Sequence, residues 1–242
     1  MTYAISMTDV SYSYGKKQAL KNISAEIPAG TITGLLGRNG SGKSTLAMLL
    51  SGQMKAGGRL TVGGRSPWED PEIMPNTVLV SDSTSIFIDS RLKRTAELWS
   101  LVRLNWDADL YGDLMTMWGL SEKENYSSLS RGQQSAFTAA LGLASRADLT
   151  IFDEVHLGMD VVVRQEFYDT MLEEFASHPR TIILSSHLVG EIENIIEDVL
   201  IIDRGELVAS GNADELRIKH GTDGKQATLT DVLIGLTKRS MP

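Results

Sequence analysis

The sequence predicts an α/β fold in which a mostly parallel central sheet is covered by helices. Three observations support this prediction. A β-rich segment opens the chain, helical spacing of apolar residues dominates its middle, and strand-like and helix-like segments alternate in its second half. Ligands of a doubly wound sheet bind at the carboxyl ends of its strands. We therefore expect the functional residues in the loops that follow those ends.

Residues 3–36 are predicted to form the first strands, because polar and apolar residues alternate there and a Pro-Ala-Gly turn at 28–30 precedes an apolar run. A helix follows that run, with Gly52 as its stop signal. Apolar residues at helical spacing then predict an all-helical lobe. The elements predicted in this half are strands within 3–36, a helix at 43–51, strands at 59–64 and 77–81, and helices from 91 to about 120.

After Ser130, helices and strands alternate, and the strands are rich in apolar and β-branched residues. A Gly205 turn introduces the last strand, and a short tail follows it. The elements predicted in this half are a helix to about 146, a strand at 149–153, a helix at 161–177, a strand at 181–185, a helix at 187–196, strands at 199–203 and 206–209, and a helix at 229–236.

The composition excludes several classes of function. The 242 residues include no cysteine, which excludes disulfides, zinc–thiolate sites and cysteine nucleophiles. A net charge of −8 has the wrong sign for a protein that neutralises many phosphates, so we expect no nucleic-acid partner. No basic segment followed by an apolar run opens the sequence. We expect a cytoplasmic protein whose membrane role, if it has one, depends on a separate partner.

The strongest motif is a complete G-x-x-x-x-G-K-S between an apolar strand and a helix. Its glycines let successive backbone N–H groups surround phosphate oxygens, and the helix N-terminus adds partial positive charge. Lys43 is expected to reach the β- and γ-phosphates, and the Ser44 hydroxyl to bind Mg²⁺. The motif thus predicts nucleoside triphosphate binding. The predicted contacts are Gly37, Arg38, Asn39, Gly40, Ser41, Gly42, Lys43, Ser44 and Thr45.

Two carboxylates end the predicted strand at 149–153. A buried acid is costly unless a cation compensates it, so Asp153 fits a ligand of Mg²⁺, directly or through water. Glu154 fits the general base that polarises the attacking water. A strand that simply ends in a solvated acidic loop is the alternative, and the neighbouring phosphate motif makes it the weaker one.

These two motifs and three others resemble those of the ATP-binding subunit of an ABC transporter. The others are the signature at 129–133, the D-loop at 157–160 and the switch histidine, His187. The resemblance covers roughly residues 3–216, with all five motifs in the family's order. It identifies ATP and Mg²⁺ as the expected ligands, and it adds His187 to Glu154 and Lys43 as catalytic residues.

The family resemblance also implies an architecture. The fold would be that of a P-loop NTPase, with a mostly parallel central sheet, an N-terminal antiparallel β subdomain and an inserted α-helical subdomain. The chain would be a single ATPase domain over residues 1–242, with the helical lobe at approximately 84–135 and a short C-terminal extension at 212–242.

In this family two subunits pack head to tail, each ATP lying between the phosphate loop of one and the signature of the other. The expected partners are a second ATPase subunit, identical or different, and a separate polytopic membrane permease. The protein would then lie at the inner face of the cell membrane. The residues expected to contact ATP in trans are Ser130, Arg131, Gly132, Gln133 and Asp160.

Several of these residues have simpler explanations. A serine before a helix is more often a plain N-cap, which applies to Ser130. A lone histidine at a strand-to-helix junction is usually a surface or cap residue, and only the combination of motifs favours a role for His187. Tyr14 occupies the family's adenine-stacking position. Tyr12 shares its parity in the strand and is the alternative, and either could be a cross-strand packing residue.

The sequence departs from the family pattern at three places. Asp82, or Ser81 with a register shift, replaces a Gln that touches Mg²⁺ in most members, and Asp82 could bind the metal or merely cap a loop. Arg131 replaces a signature glycine, where it could compensate phosphate charge or lie on the surface with an acidic partner. Val155 and His156 replace Pro-Thr, and His156 is predicted to be a loop residue. These variations resemble a bacterial, often Gram-positive, exporter-associated subgroup of the ABC-2 type.

Two further alternatives concern partners and function. Trp99, Trp106 and Trp118 could line a groove for a membrane partner, although buried packing is the better default. A soluble ATPase that acts on cytoplasmic protein clients is the alternative to a transport ATPase. A regulator that binds nucleotide without hydrolysis is disfavoured, because the lysine, the two carboxylates and the switch histidine are all present.

Overall fold

A computed structural model describes residues 2–81, 84, 89–222 and 225–238. Those residues form a three-stranded antiparallel sheet and a six-stranded, mostly parallel sheet flanked by helices. The predicted α/β fold class is confirmed. No helix in these four ranges is long and apolar enough to cross a membrane.

The described elements follow the predicted alternation. The strands are β1 (Ile5–Tyr14), β2 (Lys17–Ile27), β3 (Ile32–Leu36), β4 (Gly57–Val62), β5 (Thr77–Ser81), β6 (Leu149–Asp153), β7 (Thr181–Ser186), β8 (Asp198–Asp203) and β9 (Glu206–Asn212). The α-helices are α1 (Lys43–Leu50), α2 (Leu92–Val102), α3 (Ala108–Met117), α4 (Arg131–Ala144), α5 (Val161–Ser177), α6 (Val189–Ile192), α7 (Ala213–Lys219) and α8 (Leu229–Lys238).

The larger sheet has the strand order β5-β6-β7-β3-β8-β9, with only β9 antiparallel to its neighbour. Its register pairs Ser81 with Asp153, Asp153 with Ser185, and Leu36 with Ser186. The carboxyl ends of β3, β5, β6 and β7 therefore meet at one edge of the sheet. The segments that carry Lys43, Glu154 and His187 follow β3, β6 and β7 and therefore start from this edge.

Alternating side chains of the central strands fill two separate apolar cores. Leu35 and Ile183 pack with α1 and the antiparallel sheet, whereas Leu36 and Leu184 pack with the helices on the opposite face. Successive strand residues point to opposite faces, so nearly continuous apolar strands are needed in a sheet buried on both sides. The second core also holds Trp118, and Trp99 and Trp106 pack against it.

The structure differs from the sequence-based prediction at two helices. The helix predicted at 187–196 is reduced to the four residues of α6. The Ser186 hydroxyl accepts a hydrogen bond from the Leu188 N–H at 2.9 Å, which holds this segment in a turn before α6 begins. Helix α7 was not predicted. Asn212 caps it by accepting hydrogen bonds from the N–H groups of Asp214 and Glu215.

Candidate functional site

The glycine-rich loop connects the end of β3 to the start of α1 and requires glycine at its tightest points. Gly42 has a φ of 116°, in the region that disfavours side chains. A Cβ atom there would lie 2.7 Å from the Leu20 side chain and 2.9 Å from the Ala19 carbonyl oxygen. This close approach places Lys43 and Ser44 at the first turn of α1, with the backbone N–H groups at the mouth of the loop.

Lys43 is buried, and its ammonium group is held by three acceptors. Nζ donates to the carbonyl oxygens of Gly37 at 2.9 Å and Arg38 at 3.3 Å. It also lies 3.1 Å from Oε1 of Glu154. An ammonium group has three N–H donors, so these contacts use all of them. Phosphate oxygens that bind Lys43 must therefore replace at least one of these acceptors.

Glu154 follows β6 directly and has left-handed backbone angles, with φ 56° and ψ 20°. Such angles are costly for a non-glycine residue and are found where a site fixes a side chain. The Glu154 N–H donates to the Ser185 carbonyl oxygen at 3.1 Å, and His187 Nδ1 lies 3.2 Å from Oε1. Burial favours the neutral acid, but Lys43 and His187 outweigh it and lower the pKa of Glu154. The carboxylate is thus held ionised, as a proton acceptor must be.

Asp153 ends β6 with its side chain only 6% exposed. Its Oδ1 atom has no hydrogen-bond partner among the described residues. Burial raises the pKa of Asp153, whereas the hydroxyls of Ser185 and Ser44 act in the opposite direction. A buried carboxylate oxygen without a donor, near a serine hydroxyl, fits the all-oxygen coordination that Mg²⁺ prefers.

The third residue predicted to contact the metal, Asp82, lies outside the described residues. Ser81, the alternative at this position, ends β5 beside Asp153 in the sheet. Its backbone N–H donates to the Thr84 hydroxyl at 2.6 Å.

A cavity of about 500 Å³ lies beside the glycine loop. Tyr14 lines it with a ring that is 46% exposed, and its hydroxyl lies 3.5 Å from the Thr45 hydroxyl. Tyr12 instead packs edge-on against Tyr14, with ring centroids 5.0 Å apart. This arrangement favours Tyr14 over Tyr12 as the stacking residue. The other predicted residues in the cavity lining are Asn39, Gly40, Gly42, Lys43, Ser44, Thr45 and Glu154.

Two cationic residues of the cavity were missed by the sequence analysis. Lys17 begins β2 and Arg204 follows β8, and both line the cavity. Their sequence neighbourhoods contain no motif, and only the packing of β2 and β8 around the loop brings them to it. Ser41, which was also predicted to contact nucleotide, has a buried side chain, and its carbonyl oxygen accepts a hydrogen bond from the Gly205 N–H.

The signature residues lie at the start of α4. The Ser130 hydroxyl accepts a hydrogen bond from the Gln133 N–H at 3.2 Å, and the Gln133 side chain accepts one from the Ser130 N–H at 3.0 Å. Ser130 is therefore an N-cap, as the simpler explanation held, and the pair forms a capping box. Arg131 makes no ion pair with another described residue. Neither these residues nor Gly132 contribute to the lining of the cavity at the glycine loop, within the described ranges.

Asp160 caps α5 by accepting hydrogen bonds from the N–H groups of Val162 at 2.9 Å and Val163 at 3.1 Å. The 3₁₀ turn Val155–Gly158 separates it from Glu154. His156 lies in this turn and is only 1% exposed. Burial and the charge of Arg164 lower the pKa of His156 to about 4, so the imidazole is neutral near pH 7.

His156 was predicted to be a loop residue rather than a catalyst, and it does lie in the turn between β6 and α5, but it is buried there and contacts a distant residue. Its Nε2 atom lies 3.0 Å from the Ser186 hydroxyl, in the segment that carries His187. The departure from Pro-Thr at this position was the only signal in the sequence. The contact itself joins residues 30 positions apart, so no local pattern could show it.

Comparison with known proteins identifies the family. The model of the ABC transporter family matches residues 20–156, which is more than half of the chain. The chain belongs to the ABC transporter family. It is an ATP-binding and ATP-hydrolysing subunit of an ABC transporter.

Relatives of this ABC transporter subunit are distant but cover most of its length. It is 26% identical to the ABC transporter ATP-binding protein YtrB of Bacillus subtilis (strain 168), over 98% of this chain and 82% of that protein. It is 27% identical to the high-affinity zinc uptake system ATP-binding protein ZnuC, also of Bacillus subtilis (strain 168), over 84% of this chain and 92% of that protein. It is 26% identical to the linearmycin resistance ATP-binding protein LnrL of the same Bacillus subtilis strain, over 89% of this chain and 71% of that protein.

A solved structure has the same fold. The structure of an ATP-binding subunit of an ABC transporter superimposes with a TM-score of 0.85, covering 96% of this chain and 99% of that one at 22% identity.

Proposed function

We propose that the chain hydrolyses Mg²⁺-bound ATP in a head-to-tail dimer and drives an exporter. One observation carries the proposal for the site: Oε1 of Glu154 contacts both Lys43 and His187 beside the glycine loop. A carboxylate at this place can accept a proton from a water that attacks the γ-phosphate. The same place brings an ammonium group and an imidazole to the phosphate whose charge changes during transfer.

Each residue of the proposed site has a distinct role. The backbone N–H groups between Gly37 and Ser44 bind phosphate oxygens, and Lys43 binds the β- and γ-phosphates. Glu154 accepts a proton from water, and His187 orients Glu154 and the water. Ser44 and Asp153 hold Mg²⁺, together with Asp82, and the metal supplies charge neutralisation on the phosphates. The adenine stacks on Tyr14.

The dimer is proposed because the residues expected to contact ATP in trans do not contribute to the cavity at the glycine loop of the same chain. In this geometry the signature residues are not in the lining of the glycine-loop cavity, although the family's mechanism requires them there. A second subunit, identical or different, would supply Ser130, Arg131, Gly132, Gln133 and Asp160 in trans. Closure around ATP and reopening after hydrolysis would then move the membrane partner.

A mixing experiment tests whether the site is shared. Lys43→Ala removes the phosphate ligand in cis, and Ser130→Asp places a negative charge against phosphate in trans while keeping a good N-cap for α4. Each variant alone should be inactive. An equimolar mixture should regain roughly a quarter of wild-type ATPase activity, because half of the random pairs are mixed and each has one intact site.

Ser128→Asp is the matched control, since Ser128 is an exposed serine just before the signature that caps no α-helix. This variant should hydrolyse ATP at the wild-type rate. If the purified chain requires a different ATPase subunit, the two variants are compared in the complex isolated with its membrane partner. A mixture with no more activity than its components would contradict a shared site.

Export is the proposed direction of transport, on the inner face of the cell membrane. The proposal rests on the departures from the family pattern at Val155 and His156, together with the similarity to a resistance protein across 89% of the chain. Similarity of the same degree to a zinc uptake protein makes the direct test necessary. The associated proposal for the chain is a single ATPase domain over 1–242, with a helical lobe at about 84–135 and an extension at 212–242.

The direction can be tested with inside-out membrane vesicles that are suspended in cell extract, so that their cytoplasmic face contacts the extract. A tagged chain should first co-purify with a polytopic protein from detergent-solubilised membranes. With wild-type chain and ATP, mass spectrometry of the vesicle contents should then show a compound that accumulates inside. Vesicles with Glu154→Gln are the control. ATP-dependent depletion of a preloaded compound would indicate import, and recovery of only soluble clients would contradict a transport role.

A further inference from the structure

We propose that His156 is a positioning residue for ATP hydrolysis: its hydrogen bond to Ser186 fixes the segment that carries His187 and thereby aligns His187 with Glu154. The proposal rests on the proposed roles of Glu154 and His187 in the hydrolytic step. It concerns a residue that touches neither nucleotide nor metal and that acts through its neighbours.

The first observation is a closed ring of contacts. His156 lies two residues after Glu154 and reaches the Ser186 hydroxyl with Nε2 at 3.0 Å. His187 follows Ser186, and its Nδ1 atom returns to Oε1 of Glu154 at 3.2 Å. The two hydrogen bonds therefore join the same two segments, one with Glu154 and His156 and the other with Ser186 and His187. A change at His156 should alter the His187–Glu154 contact, because one residue separates His156 from Glu154 and Ser186 is adjacent to His187.

The second observation is that Ser186 has a fixed hydroxyl. Its oxygen accepts the Leu188 N–H at 2.9 Å, so the backbone on both sides of His187 is tied to the same atom that His156 binds. Ser186 and His156 are both buried, at 0% and 1% exposure. A hydrogen bond in such surroundings has no water to replace it, and losing one partner leaves the other unsatisfied.

The third observation is that the turn around His156 packs closely against backbone on the side away from Ser186. The turn Val155–Gly158 packs against the first turn of α4. A Cβ atom at Gly158 would lie 3.0 Å from the Arg131 carbonyl oxygen, and one at Gly132 would lie 3.0 Å from the Gly158 carbonyl oxygen. Backbone contact on one face and the His156–Ser186 bond on the other hold the turn. His156 thus joins the signature helix to the segment of His187.

The test compares variants in a double-mutant cycle. His156→Leu removes the hydrogen bond at similar volume, and Ser186→Ala removes its partner. Each should lower kcat about 10- to 100-fold, the cost of a small misplacement of catalytic groups. The Kd of ATP, measured by calorimetry, should stay within about 2-fold, because binding groups are untouched. Ser186→Ala also removes the acceptor of the Leu188 N–H, so it should be the slower single variant. The double variant should be no slower than Ser186→Ala, because the contact between His156 and Ser186 is already lost in it.

Conservative variants separate positioning from structure. His156→Gln places an amide nitrogen near the position of Nε2 and should restore kcat to within about 3-fold of wild type. His156→Asn reaches only to the position of Nδ1 and should remain impaired, so this pair replaces His156→Leu if that variant does not fold. Tyr168→Phe is the matched control, since the centroid of its ring lies 6.0 Å from that of His156 and its buried hydroxyl has no hydrogen-bond partner among the described residues.

A wild-type kcat in His156→Leu would overturn the proposal, and so would equal kcat values in His156→Gln and His156→Asn. Strictly additive effects of His156→Leu and Ser186→Ala on kcat would also contradict it. A loss of ATP affinity as large as the loss of kcat would do the same. Failure of the proposed function is distinguishable from these outcomes. In that case Glu154→Gln itself would hydrolyse ATP normally, whatever the variants of His156 do.

Discussion

Oε1 of Glu154 lies 3.1 Å from Nζ of Lys43, so the proposed general base and the proposed phosphate ligand form an ion pair across the mouth of the glycine loop. The side chain of Lys43 is 4% exposed and that of Glu154 is 26% exposed, so water screens the pair only partly. The γ-phosphate and the carboxylate therefore compete for one ammonium group. ATP that displaces Glu154 from Lys43 leaves the carboxylate available to water.

Substitution of Glu154 by Gln should affect binding and turnover in opposite directions. The neutral amide competes less well for Lys43, so the Kd of ATP should fall several-fold, which corresponds to a gain of about 1 kcal/mol in binding free energy. Loss of the proton acceptor should slow kcat by about 10²–10⁴-fold. Calorimetry and a phosphate-release assay measure the two effects, and size-exclusion chromatography with ATP should show an increased dimer fraction.

Glu154→Asp is the control for charge at this position. It keeps the carboxylate but shortens the reach to Lys43 and His187, so it should bind ATP more like the wild type than Glu154→Gln does. A Gln variant that hydrolyses ATP at the normal rate would remove Glu154 from its proposed role. A Gln variant with weaker ATP binding would contradict the competition for Lys43.

Asp153 should stabilise the protein when Mg²⁺ is bound and lower its free energy of unfolding when no metal is bound. Its buried Oδ1 atom lacks a hydrogen-bond partner among the described residues, and the neighbouring charge of Glu154 adds to the cost. Asp153→Asn should therefore raise the free energy of unfolding without ligands, by about 1 kcal/mol. The same change should strongly reduce the difference in ATP affinity between magnesium and EDTA, although Ser44 and Asp82 remain as proposed ligands.

Asp203→Asn is a matched control for this experiment, because Asp203 is also a buried acid at the end of a central strand, β8. It should keep the magnesium dependence of ATP binding. Urea unfolding and calorimetry with and without magnesium measure both effects. If Asp153→Asn binds ATP with full magnesium dependence, Asp153 is not a metal ligand.

Tyr14 should contribute to affinity through its ring and not through its hydroxyl. Tyr14 lines the cavity, whereas its hydroxyl makes only long contacts, 3.5 Å to the Thr45 hydroxyl and 3.7 Å to the sulfur of Met54. Tyr14→Ala should weaken ATP binding by about 1–3 kcal/mol, the range for base stacking on aromatic residues, and Tyr14→Phe should bind normally. Fluorescence titration with a labelled ATP analogue measures both. A larger loss for Tyr12→Ala would assign the stacking to Tyr12.

The strands of the central sheet could be predicted from the sequence because their local pattern and their environment agree. A strand buried on both faces must be apolar throughout, and the apolar residues of β6 and β7 show this directly. The order of the strands could not be predicted in the same way. β3 lies between β7 and β8, which follow it by about 150 residues, and only tertiary packing determines that placement.

The candidate site could be predicted where one loop carries the chemistry. Gly37 to Ser44 form a continuous motif, and Asp153 and Glu154 are adjacent, so both were found. Tyr14 and His187 come from other elements and were named only through the family resemblance, whereas Lys17, Arg204 and the link between His156 and Ser186 were missed. Arg204 enters the cavity through the fold alone, and His156 meets Ser186 across two strand ends. Short-range patterns contain no information about either contact.

His156 should make the stability of the protein depend on pH between about 4 and 6.5. Burial and the charge of Arg164 hold its pKa at about 4, against 6.5 for an ordinary histidine. The other groups around the ring are Tyr168, Glu154 and His187. In this pH range the unfolded chain binds the proton more readily, so the free energy of unfolding decreases as pH falls. The stabilisation is fully present above about pH 6.5 and is lost as pH approaches 4.

His156→Gln should remove this part of the pH dependence. Urea unfolding from pH 7.5 to 4.5 should show that the wild type loses up to about 3 kcal/mol more than the variant, because each unit of pKa shift is worth 1.36 kcal/mol. Groups common to both proteins, including Asp153 and Glu154, cancel in this difference. His178→Gln, which removes an exposed imidazole, controls for the loss of a histidine. Parallel pH profiles for the wild type and His156→Gln would mean that His156 is not held neutral in the folded protein.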